Sequence, residues 1–350
     1  MFEKELSQLS DKEWLEKNYI KEKKSSREIS KELGISHSIV ANYLHKYNII
    51  NNNCFVSICE NEIIDFIGKN IKLDINTSSV ISPYNLNVYI EDYNLAIEFD
   101  GLIEHSYNEM ELKTEKEFHL YKTKLCAEKG IQLLHIFENE WVDPYKQDIW
   151  KSMINTKLNR NKIIYARECK VQDVSDSKLI KNFIKENHLQ GFIGSKIKIG
   201  LFFKDELVSI MTFSKPRYNK KYELEITRYC NKKYTNVVGG PSKIFNYLLS
   251  NYNPKSIITY ADKRYSSGNL YNKLGFTSLG SSYCNYYYFL PEELKLYPRI
   301  KFQKHKLQNV LKNFDKTLSE SLNVFNNGYR RIWDCGNLIY EWKKDETKSN

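Results

Sequence analysis

The charges of this 350-residue chain are sorted by region along the sequence. The net charge is +1 over residues 1–53, −10 over residues 54–150 and +19 over residues 151–350. A chain of this length is expected to form two or three domains rather than a single core. A basic surface binds phosphates, whereas an acidic domain repels a polyanion unless its carboxylates hold a divalent cation. The chain is therefore expected to bind nucleic acid; solvated surface lysine is the alternative interpretation.

The overall composition is that of a soluble globular protein. Hydrophobic residues make up 41% of the chain and charged residues 27%. No apolar stretch approaches the ~18 residues that span a bilayer, and the first ten residues lack the apolar segment of a signal peptide. The seven cysteines include no Cys-x-x-Cys pair, which favours reduced thiols over a zinc knuckle or a disulfide framework. These features predict a cytoplasmic protein with no membrane partner.

Short helices are expected in residues 1–53. Ser25 or Ser26 can cap one helix, which Gly34 ends, and Ser36 can cap the next. Two short helices joined by a Gly-Ile-Ser turn are typical of a helix-turn-helix, whose later helix enters the major groove of DNA. The outward positions of that helix, which we expect to contact DNA, are His37, Ser38, Asn42, His45 and Lys46. A trihelical scaffold or dimerisation unit is the alternative.

The acidic residues of the middle region lie on a predicted hairpin. Apolar stretches at 86–90 and 94–101 are joined by a hairpin-sized linker, which predicts two antiparallel strands. The strand period points Glu98 and Asp100 to one side, and helical spacing puts His119 and Lys122 on one stripe. Hydrolysis of a phosphodiester needs a divalent ion and proton-transferring groups, and carboxylates are suitable ligands for Mg²⁺. The region thus has the residue types of a metal-dependent nuclease.

Two segments, LNVYIEDYNLAIEFDGLIEHS and FHLYKTKLCAEKGIQLLHIFENEW, resemble the very-short-patch-repair (Vsr) branch of the PD-(D/E)XK nucleases, in the versions found in bacteriophage homing endonucleases. The resemblance implies a metal ligand at Asn87, proton transfer by His105, and an upstream helical glutamate at Glu62 or Glu60. Glu98 and Asp100 fall among further active-site groups. The predicted catalytic set is Asn87, Glu98, Asp100, His105, His119, Lys122 and Glu62, with Mg²⁺ or Mn²⁺ on Asn87, Glu98 and Asp100.

Asn87 departs from the family pattern, which has aspartate at this position. A carboxamide offers an oxygen ligand but lacks the negative charge that holds a hard cation. Natural decay of a nuclease and a deliberate inactivating substitution both account for this residue. The expectation is reduced cleavage with retained DNA binding.

Within the last region, about residues 165–345 resemble the N-acetyltransferase-like (GNAT) fold and the DNA-modifying Mom proteins of phages. The resemblance rests on the strands IGLFF, LVSIMTF, LEITRYC and SIITYAD, on NVVGGPSK before a helix, and on LYNKLGF. It implies an acyl-CoA site at the helix start, where free amide groups favour a pyrophosphate. The residues expected to hold that cofactor are Gly239, Gly240, Ser242 and Lys243.

Two interpretations are open for this region: acyl transfer, or a domain of the same fold that only binds DNA. The net charge of +19 favours DNA binding. Tyr218 and Tyr265 could stack on bases. The predicted phosphate contacts are Lys215, Arg217, Lys220, Lys221, Arg228, Lys263, Arg264 and Arg299.

The predicted fold is a mixture of α/β and α+β domains. A small trihelical helix-turn-helix covers residues 1–53, a mixed-sheet Vsr-like PD-(D/E)XK domain covers 54–160, and a basic GNAT-like α/β domain with an extension covers 161–350. The predicted function is a site-specific, metal-dependent endonuclease of phage homing type, acting on double-stranded DNA in the bacterial host cytoplasm. The alternatives are a non-cleaving DNA-binding regulator or defence protein, and a Mom-like DNA-modifying acyltransferase. No oligomeric state is predicted.

Overall fold

The computed structural model describes residues 7–22, 24–35, 37–47, 49, 52–68, 70–106 and 116–344. The chain divides into two compact units. The first unit comprises Met1–Gln147 and Cys284–Cys335, and the second comprises Asp148–Tyr283 and Gly336–Asn350. The segment Cys284–Cys335 therefore folds with the first unit, although it interrupts the sequence of the second. Among the described helices, none is long and apolar enough to cross a membrane.

The first unit begins with a group of short helices around a small apolar core. The bounds are α1 (Lys12–Glu16), α2 (Ser26–Leu33), α3 (His37–Lys46) and α4 (Asn52–Ile67). Ser25 accepts a hydrogen bond from the amide of Glu28, whose carboxylate returns one to Ser25, and Gly34 ends α2 with a φ of 65°. The core contains Leu9, Leu15, Ile29, Ile39, Val40 and Leu44. The helices lie where the sequence predicts them, and their assignment to a DNA-binding helix-turn-helix stays a prediction.

A four-stranded sheet follows, in the order β1-β2-β3-β4. The strands are β1 (Asp74–Ile81), β2 (Tyr84–Ile90), β3 (Leu95–Asp100) and β4 (Gln132–Phe137). β1, β2 and β3 pair antiparallel, as the predicted hairpin requires, whereas β3 and β4 pair parallel. A parallel pair needs a crossover connection, and α5 (Phe118–Glu128) lies in it. Every residue of β3 is buried, so its polar side chains must find partners inside the protein.

The remaining elements of the first unit lie close to this sheet or in the segment Cys284–Cys335. The short helix α6 (Glu138–Trp141) follows β4 directly. The later segment forms a three-stranded sheet in the order β14-β13-β15, with two short helices. Numbered in chain order, these elements are β13 (Tyr286–Phe289), β14 (Tyr297–Pro298), α11 (Leu307–Val310), α12 (Glu320–Asn326) and β15 (Arg330–Trp333).

The second unit is built on a seven-stranded sheet in the order β12-β16-β11-β9-β8-β7-β6. Its strands are β6 (Lys170–Asp173), β7 (Ile197–Phe203), β8 (Glu206–Ser214), β9 (Leu224–Asn231), β11 (Ser256–Asp262), β12 (Thr277–Ser281) and β16 (Asn337–Lys343). A separate parallel pair consists of β5 (Lys162–Tyr165) and β10 (Thr235–Val238). The helices are α7 (Pro144–Lys157), which crosses the division between the units, α8 (Ser177–Asn187), α9 (Gly240–Tyr252) and α10 (Asn269–Lys273).

The pairing of β9 with β11 is short. All other neighbours in the seven-stranded sheet are antiparallel, but these two strands are parallel and pair only from Leu224 to Ile226, opposite Ile257 to Thr259. β9 continues to Asn231 paired with β8 alone, and β11 continues to Asp262 paired with β16 alone. Within these fully described strands, β9 and β11 therefore separate after three residues. This separation leaves space at the centre of the sheet.

Candidate functional site

The first polar cluster joins Asn87 on β2 to Glu98 on β3. The Asn87 backbone amide donates to Glu98 Oε1, and the Asn87 side chain donates to Glu60 Oε1, both at 2.9 Å. The side-chain oxygen Oδ1 of Asn87 accepts a hydrogen bond from the Phe99 backbone amide at 2.9 Å. Lys122 from α5 donates to Glu98 Oε2 at 2.5 Å, and both side chains are buried. Each of these oxygens is thus already bound to a donor of the protein.

The two candidates for the helical glutamate take different positions on α4. Glu60 contacts Asn87, and burial, together with the charge of Glu98, raises the pKa of Glu60 to about 7. Glu62 instead accepts hydrogen bonds from Trp141 Nε1 at 3.0 Å and from Gln147 Nε2 at 3.2 Å. Glu60 therefore belongs to the Asn87 cluster, and Glu62 belongs to a separate buried network.

Asp100, two residues further along β3, contacts histidines. Its Oδ2 lies 3.0 Å from His135 Nδ1, and its Oδ1 lies 3.2 Å from His105 Nδ1 and 3.5 Å from His119 Nε2. His105 Nδ1 and His119 Nε2 are 2.8 Å apart. The structure therefore brings His105, His119 and Asp100 together, while Asn87 and Glu98 make their contacts elsewhere. The three predicted metal ligands do not share one set of contacts.

The environment of this histidine cluster fixes the charges of its members. Burial opposes the ionisation of Asp100, but the neighbouring imidazoles hold its pKa well below the usual value. Burial lowers the pKa of His119 to about 3, so this ring is neutral at pH 7. His135 is buried as well, yet Cys335 and Asp100 raise its pKa to about 10. Asp100 is thus a carboxylate that lies between a charged His135 and a neutral His119.

A cavity of about 490 Å³ lies where β9 and β11 separate in the second unit. A volume of this size suits a small-molecule site. Its lining combines carboxylates, arginines and tyrosines, among them Glu225, Asp262, Arg217, Tyr218, His188, Tyr260, Tyr265 and Tyr271. The residues that line the cavity come from both separated strands, from neighbouring loops, and from α10, which carries Tyr271.

The polar groups of the cavity are held in fixed orientations. Glu225 accepts a hydrogen bond from the Arg217 amide at 3.0 Å and is 4% exposed. His188 Nδ1 accepts from the Gln190 amide at 3.1 Å, which leaves the proton of the neutral ring on Nε2. Burial, with the charge of Arg228, lowers the pKa of His188 to about 3 and keeps it neutral. Burial also raises the pKa of Tyr271, whose phenol therefore stays protonated at neutral pH.

The predicted cofactor residues lie at the start of α9. Gly239 has a φ of 77°, which favours glycine, and a Cβ on Gly240 would stand 3.1 Å from the Val237 side chain, a tight contact. A second, open pocket of about 430 Å³ is lined there by Gly239, Lys243, Tyr165 and Arg167. Lys243 donates to the backbone carbonyl oxygens of the loop after β5, so its ammonium group is already bound.

The first-turn amides of α9 suit the phosphates of a nucleotide cofactor. The amides of Gly240 and Ser242 lie in the first turn, where no helical acceptor precedes them. Arg167 is exposed beside them and packs its guanidinium over the ring of Tyr165, also exposed. The groups available to bind a phosphate here are therefore the helix amides and Arg167. Lys243 instead stabilises the loop after β5.

The predicted DNA contacts divide into exposed and internally bound groups. Lys215, Arg217, Lys220 and Lys221 are exposed on the loop between β8 and β9, where the Lys220 ammonium group also donates to the Pro216 carbonyl oxygen at 3.1 Å. Arg228 donates to the carbonyl oxygens of Gly191, Thr227 and Gln190, and Arg264 is buried against Asp262. Lys263 is half-buried, Arg299 and Lys46 are exposed, and Asn42 is half-buried on α3. The side chains of His37, Ser38 and His45 lie outside the described residues.

Sequence reasoning missed the cavity residues Glu225, Asp262 and His188. A signal was present in Glu225, a carboxylate inside the apolar strand LEITRYC. Tyr271 lies within LYNKLGF, which indicates the fold but gives this tyrosine no role. The separation of two strands, which gives these residues a shared site, leaves no mark in either strand's sequence.

No protein-family model and no curated protein matches this chain. Solved structures that match it include acetyltransferases. The GNAT-family acetyltransferase from Bacillus cereus ATCC 10987 is 13% identical, the match covers 50% of this chain and 97% of that one, and the TM-score is 0.27. An acetyltransferase from Bacillus subtilis in complex with CoA is 13% identical, the match covers 50% of this chain and 99% of that one, and the TM-score is 0.29. The ribosomal-protein-S18-alanine N-acetyltransferase from Escherichia coli is 8% identical, the match covers 52% of this chain and 97% of that one, and the TM-score is 0.30.

The comparison bears on the predicted folds in different ways. The fold of the second unit follows from its own strand order, β12-β16-β11-β9-β8-β7-β6. The strands and helices that suggested a GNAT-like fold are present in the expected sequence, so the mixed α/β, GNAT-like part of the predicted fold class stands. The helix-turn-helix and the Vsr-like nuclease domain stay predictions.

The prediction that this chain is a metal-dependent DNA endonuclease is wrong, because the residues predicted to hold the metal do not form one site. The contacts of the first unit give a physical reason. Glu98 is neutralised by Lys122, and the Asn87 oxygen is bound to a backbone amide. The Mg²⁺ or Mn²⁺ expected on Asn87, Glu98 and Asp100 therefore finds no support.

Proposed function

We propose that the second unit is an acyltransferase that takes its acyl group from acyl-CoA and passes it to an amine on DNA. The observation that carries this proposal is the separation of β9 from β11 after three paired residues, with the cavity of about 490 Å³ between them. A gap at the centre of a sheet allows the acyl donor and the amine acceptor to meet in the same cavity. The acetyltransferase neighbours include proteins solved with CoA and with acetyl-CoA, which is in keeping with this donor.

The start of α9 is the proposed site for the phosphates of the donor. Backbone amides at a helix N-terminus and the exposed Arg167 favour an anion there. The ring of Tyr165, 44% exposed, offers a face for stacking. Larger residues at Gly239 or Gly240 would be strained or would press on Val237, so these glycines keep the helix start accessible.

Acyl-CoA supplies an acyl group activated as a thioester. Tyr271 lines the cavity as a protonated phenol and is the proposed acid that donates a proton to the departing sulfur. The Glu225 carboxylate, held by Arg217, is proposed to orient the attacking amine and to accept the proton that the amine loses as the new amide bond forms and the thioester C–S bond breaks. His188 presents its Nε2 proton as a hydrogen-bond donor.

The acceptor is proposed to be DNA because of the charge around the cavity. Arg217 and Tyr218 line it, and the same exposed loop carries Lys215, Lys220 and Lys221. Tyr218 is 80% exposed, so its ring is available for stacking on a base. A base amine inside a duplex is reached by flipping the base into a pocket, and the cavity is large enough to hold one.

The test is transfer of a labelled acetyl group by the full chain. The chain is incubated with isotopically labelled acetyl-CoA and duplex DNA, and the nucleosides are analysed by mass spectrometry. We expect label on a base amine, and loss of that label in Tyr271→Phe but not in Tyr283→Phe, whose ring is 94% exposed and outside the cavity lining. Label on protein or a small amine alone would overturn DNA as acceptor, and no transfer to any amine would overturn the acyltransferase.

A further inference from the structure

We propose that Asp100, His105 and His119 in the first unit bind one first-row transition-metal ion of the Zn²⁺ type. The proposal goes beyond acyl transfer, since these residues belong to the first unit and the cavity belongs to the second. The three residues come from the end of β3, from the turn that follows it and from α5. An ion bound to them would therefore join the end of β3 and its following turn to α5.

The distances between the three ligand atoms fit a tetrahedral ion. Asp100 Oδ1, His105 Nδ1 and His119 Nε2 form a triangle with sides of 2.8, 3.2 and 3.5 Å. An ion with bonds of about 2.0–2.1 Å in tetrahedral geometry keeps its ligand atoms about 3.3 Å apart. One ion can thus reach all three atoms from just outside their plane, which leaves the fourth position for water or another small ligand.

The surroundings of the ligands orient their lone pairs toward this position. His119 Nδ1 lies 2.6 Å from the carbonyl oxygen of Trp333, an acceptor, so the ring proton is on Nδ1 and the lone pair is on Nε2. His135 holds Asp100 through Oδ2 and leaves Oδ1 facing the two imidazoles. Such outer hydrogen bonds are the usual means by which proteins fix metal ligands.

Hydrogen bonds alone leave this cluster unsatisfied. Asp100 Oδ1 is fully buried and accepts no hydrogen bond of good geometry from the described residues, although two imidazole nitrogens lie within 3.5 Å. A proton on His105 Nδ1 can serve His119 Nε2 at 2.8 Å, but it leaves the Asp100 oxygen without a donor. A cation between the three atoms serves all of them, and a buried carboxylate oxygen without a partner is costly.

The ligand types select the kind of ion. Two imidazole nitrogens and one carboxylate oxygen suit Zn²⁺, Co²⁺ or Fe²⁺, whereas Mg²⁺ and Ca²⁺ prefer shells of oxygen ligands. His105 is 19% exposed at its side chain, so the cluster is reached from this residue while Asp100 and His119 are buried. The site thus differs in residues and in metal from the Mg²⁺ site that the sequence predicts.

The test is metal binding by the full chain after removal of metal with a chelator. Zn²⁺ is titrated by calorimetry, and Co²⁺ is added separately to record the visible bands of a tetrahedral complex. The main variant is His105→Ala, at the most accessible ligand, with Asp100→Asn as a second variant that keeps the side-chain volume. His305→Ala, which removes an exposed imidazole of the same unit, is the matched control. Circular dichroism reports whether each variant is folded.

We expect one Zn²⁺ per chain, a tetrahedral Co²⁺ spectrum and no comparable binding of Mg²⁺. His105→Ala should weaken Zn²⁺ binding by more than about 100-fold, because loss of an outer hydrogen bond alone costs about 10–100-fold. His305→Ala should bind as the unchanged chain does. Absence of Zn²⁺ binding, or equal binding by folded His105→Ala, would overturn the proposal, as would a Co²⁺ spectrum that is not tetrahedral.

Discussion

Two groups of buried polar residues differ in what surrounds them. On β3 of the first unit, Glu98 and Asp100 are enclosed and contact other side chains of the protein. On β9 and β11 of the second unit, Glu225 and Asp262 line a cavity. The carboxylates of both regions lie in buried strands. The spacing of carboxylates in the sequence thus shows where polar residues lie on a strand. Whether a substrate can reach those carboxylates depends on whether the neighbouring strands separate.

The pairing of the strands explains this difference. β3 is paired with β2 on one side and, along all six of its residues, with β4 on the other. Its side chains therefore meet those of α5 and β4 at short range. β9 keeps one partner to its end but loses β11 after Ile226, and its unpaired edge beyond that point borders the cavity.

The largest expected effect tests the enclosed region. Lys122→Met leaves the buried carboxylate of Glu98 without its cation, and breaking a buried ion pair in this way costs about 3–5 kcal/mol. Denaturant unfolding of the full chain should show a loss of this size. The double variant Lys122→Met/Glu98→Gln, which removes the unpaired charge as well, should recover much of it. If the single variant is as stable as the unchanged chain, the pair is solvated and the contrast with the cavity fails.

The next effect tests the cavity. Tyr271→Phe removes the proposed acid but keeps the ring, and general acid catalysis contributes about 10²–10⁴-fold to a rate. We expect kcat for acetyl transfer to fall by at least about 10²-fold. The variant should unfold at the same denaturant concentration and bind acetyl-CoA as before. An unchanged kcat would exclude Tyr271 as the acid and would shift that role to another tyrosine of the cavity lining.

A smaller effect concerns pH and the first unit. Burial raises the pKa of Glu138 to about 8, although its bond with the Leu102 amide acts in the other direction. Between its ordinary value of 4.5 and about 8, the folded chain binds one more proton at this site than the unfolded chain. Stability should therefore fall as pH rises through this range, by about 1 kcal/mol per pH unit.

The variant Glu138→Gln should remove that contribution to the pH dependence. Unfolding free energies of both proteins are compared at pH 6 and pH 7. Identical pH profiles would mean that Glu138 is solvated and ionised in the folded chain, which would contradict the enclosed character of this region.

The smallest effect concerns the exposed loop beside the cavity. Lys220→Ala/Lys221→Ala should reduce the slope of log K against log salt for DNA binding by about 1 for each of the two lysines that binds a phosphate. Both residues are exposed, so unfolding should change by less than about 0.5 kcal/mol. The control is Lys170→Ala/Lys178→Ala, which removes two exposed lysines outside this loop. Equal salt slopes in both double variants would show that the loop does not bind phosphate.

The sequence predicts elements better than partners. The alternation of apolar and polar residues correctly places the β2–β3 hairpin and puts Glu98 and Asp100 on one strand. Helical spacing likewise puts His119 and Lys122 on α5, but they reach different carboxylates. These pairings depend on how α5 crosses the sheet, which is set by tertiary packing.

The same limit applies to the second unit and to the inserted segment. The strand SIITYAD is β11 as predicted, yet nothing in it marks the residue at which β9 and β11 separate. The association of Cys284–Cys335 with the first unit also depends on contacts between residues far apart in sequence. Residues spaced as in a nuclease can therefore be hydrogen-bonded to other side chains of the protein, as Glu98 and Asp100 are.

Hydrogen–deuterium exchange of the full chain, with and without acetyl-CoA, tests both regions in one measurement. We predict slower exchange in peptides that cover the end of β9, the start of α9 and the end of β11, with no change in β2 and β3. Protection confined to β2 and β3, or no protection in the second unit at saturating acetyl-CoA, would contradict this prediction.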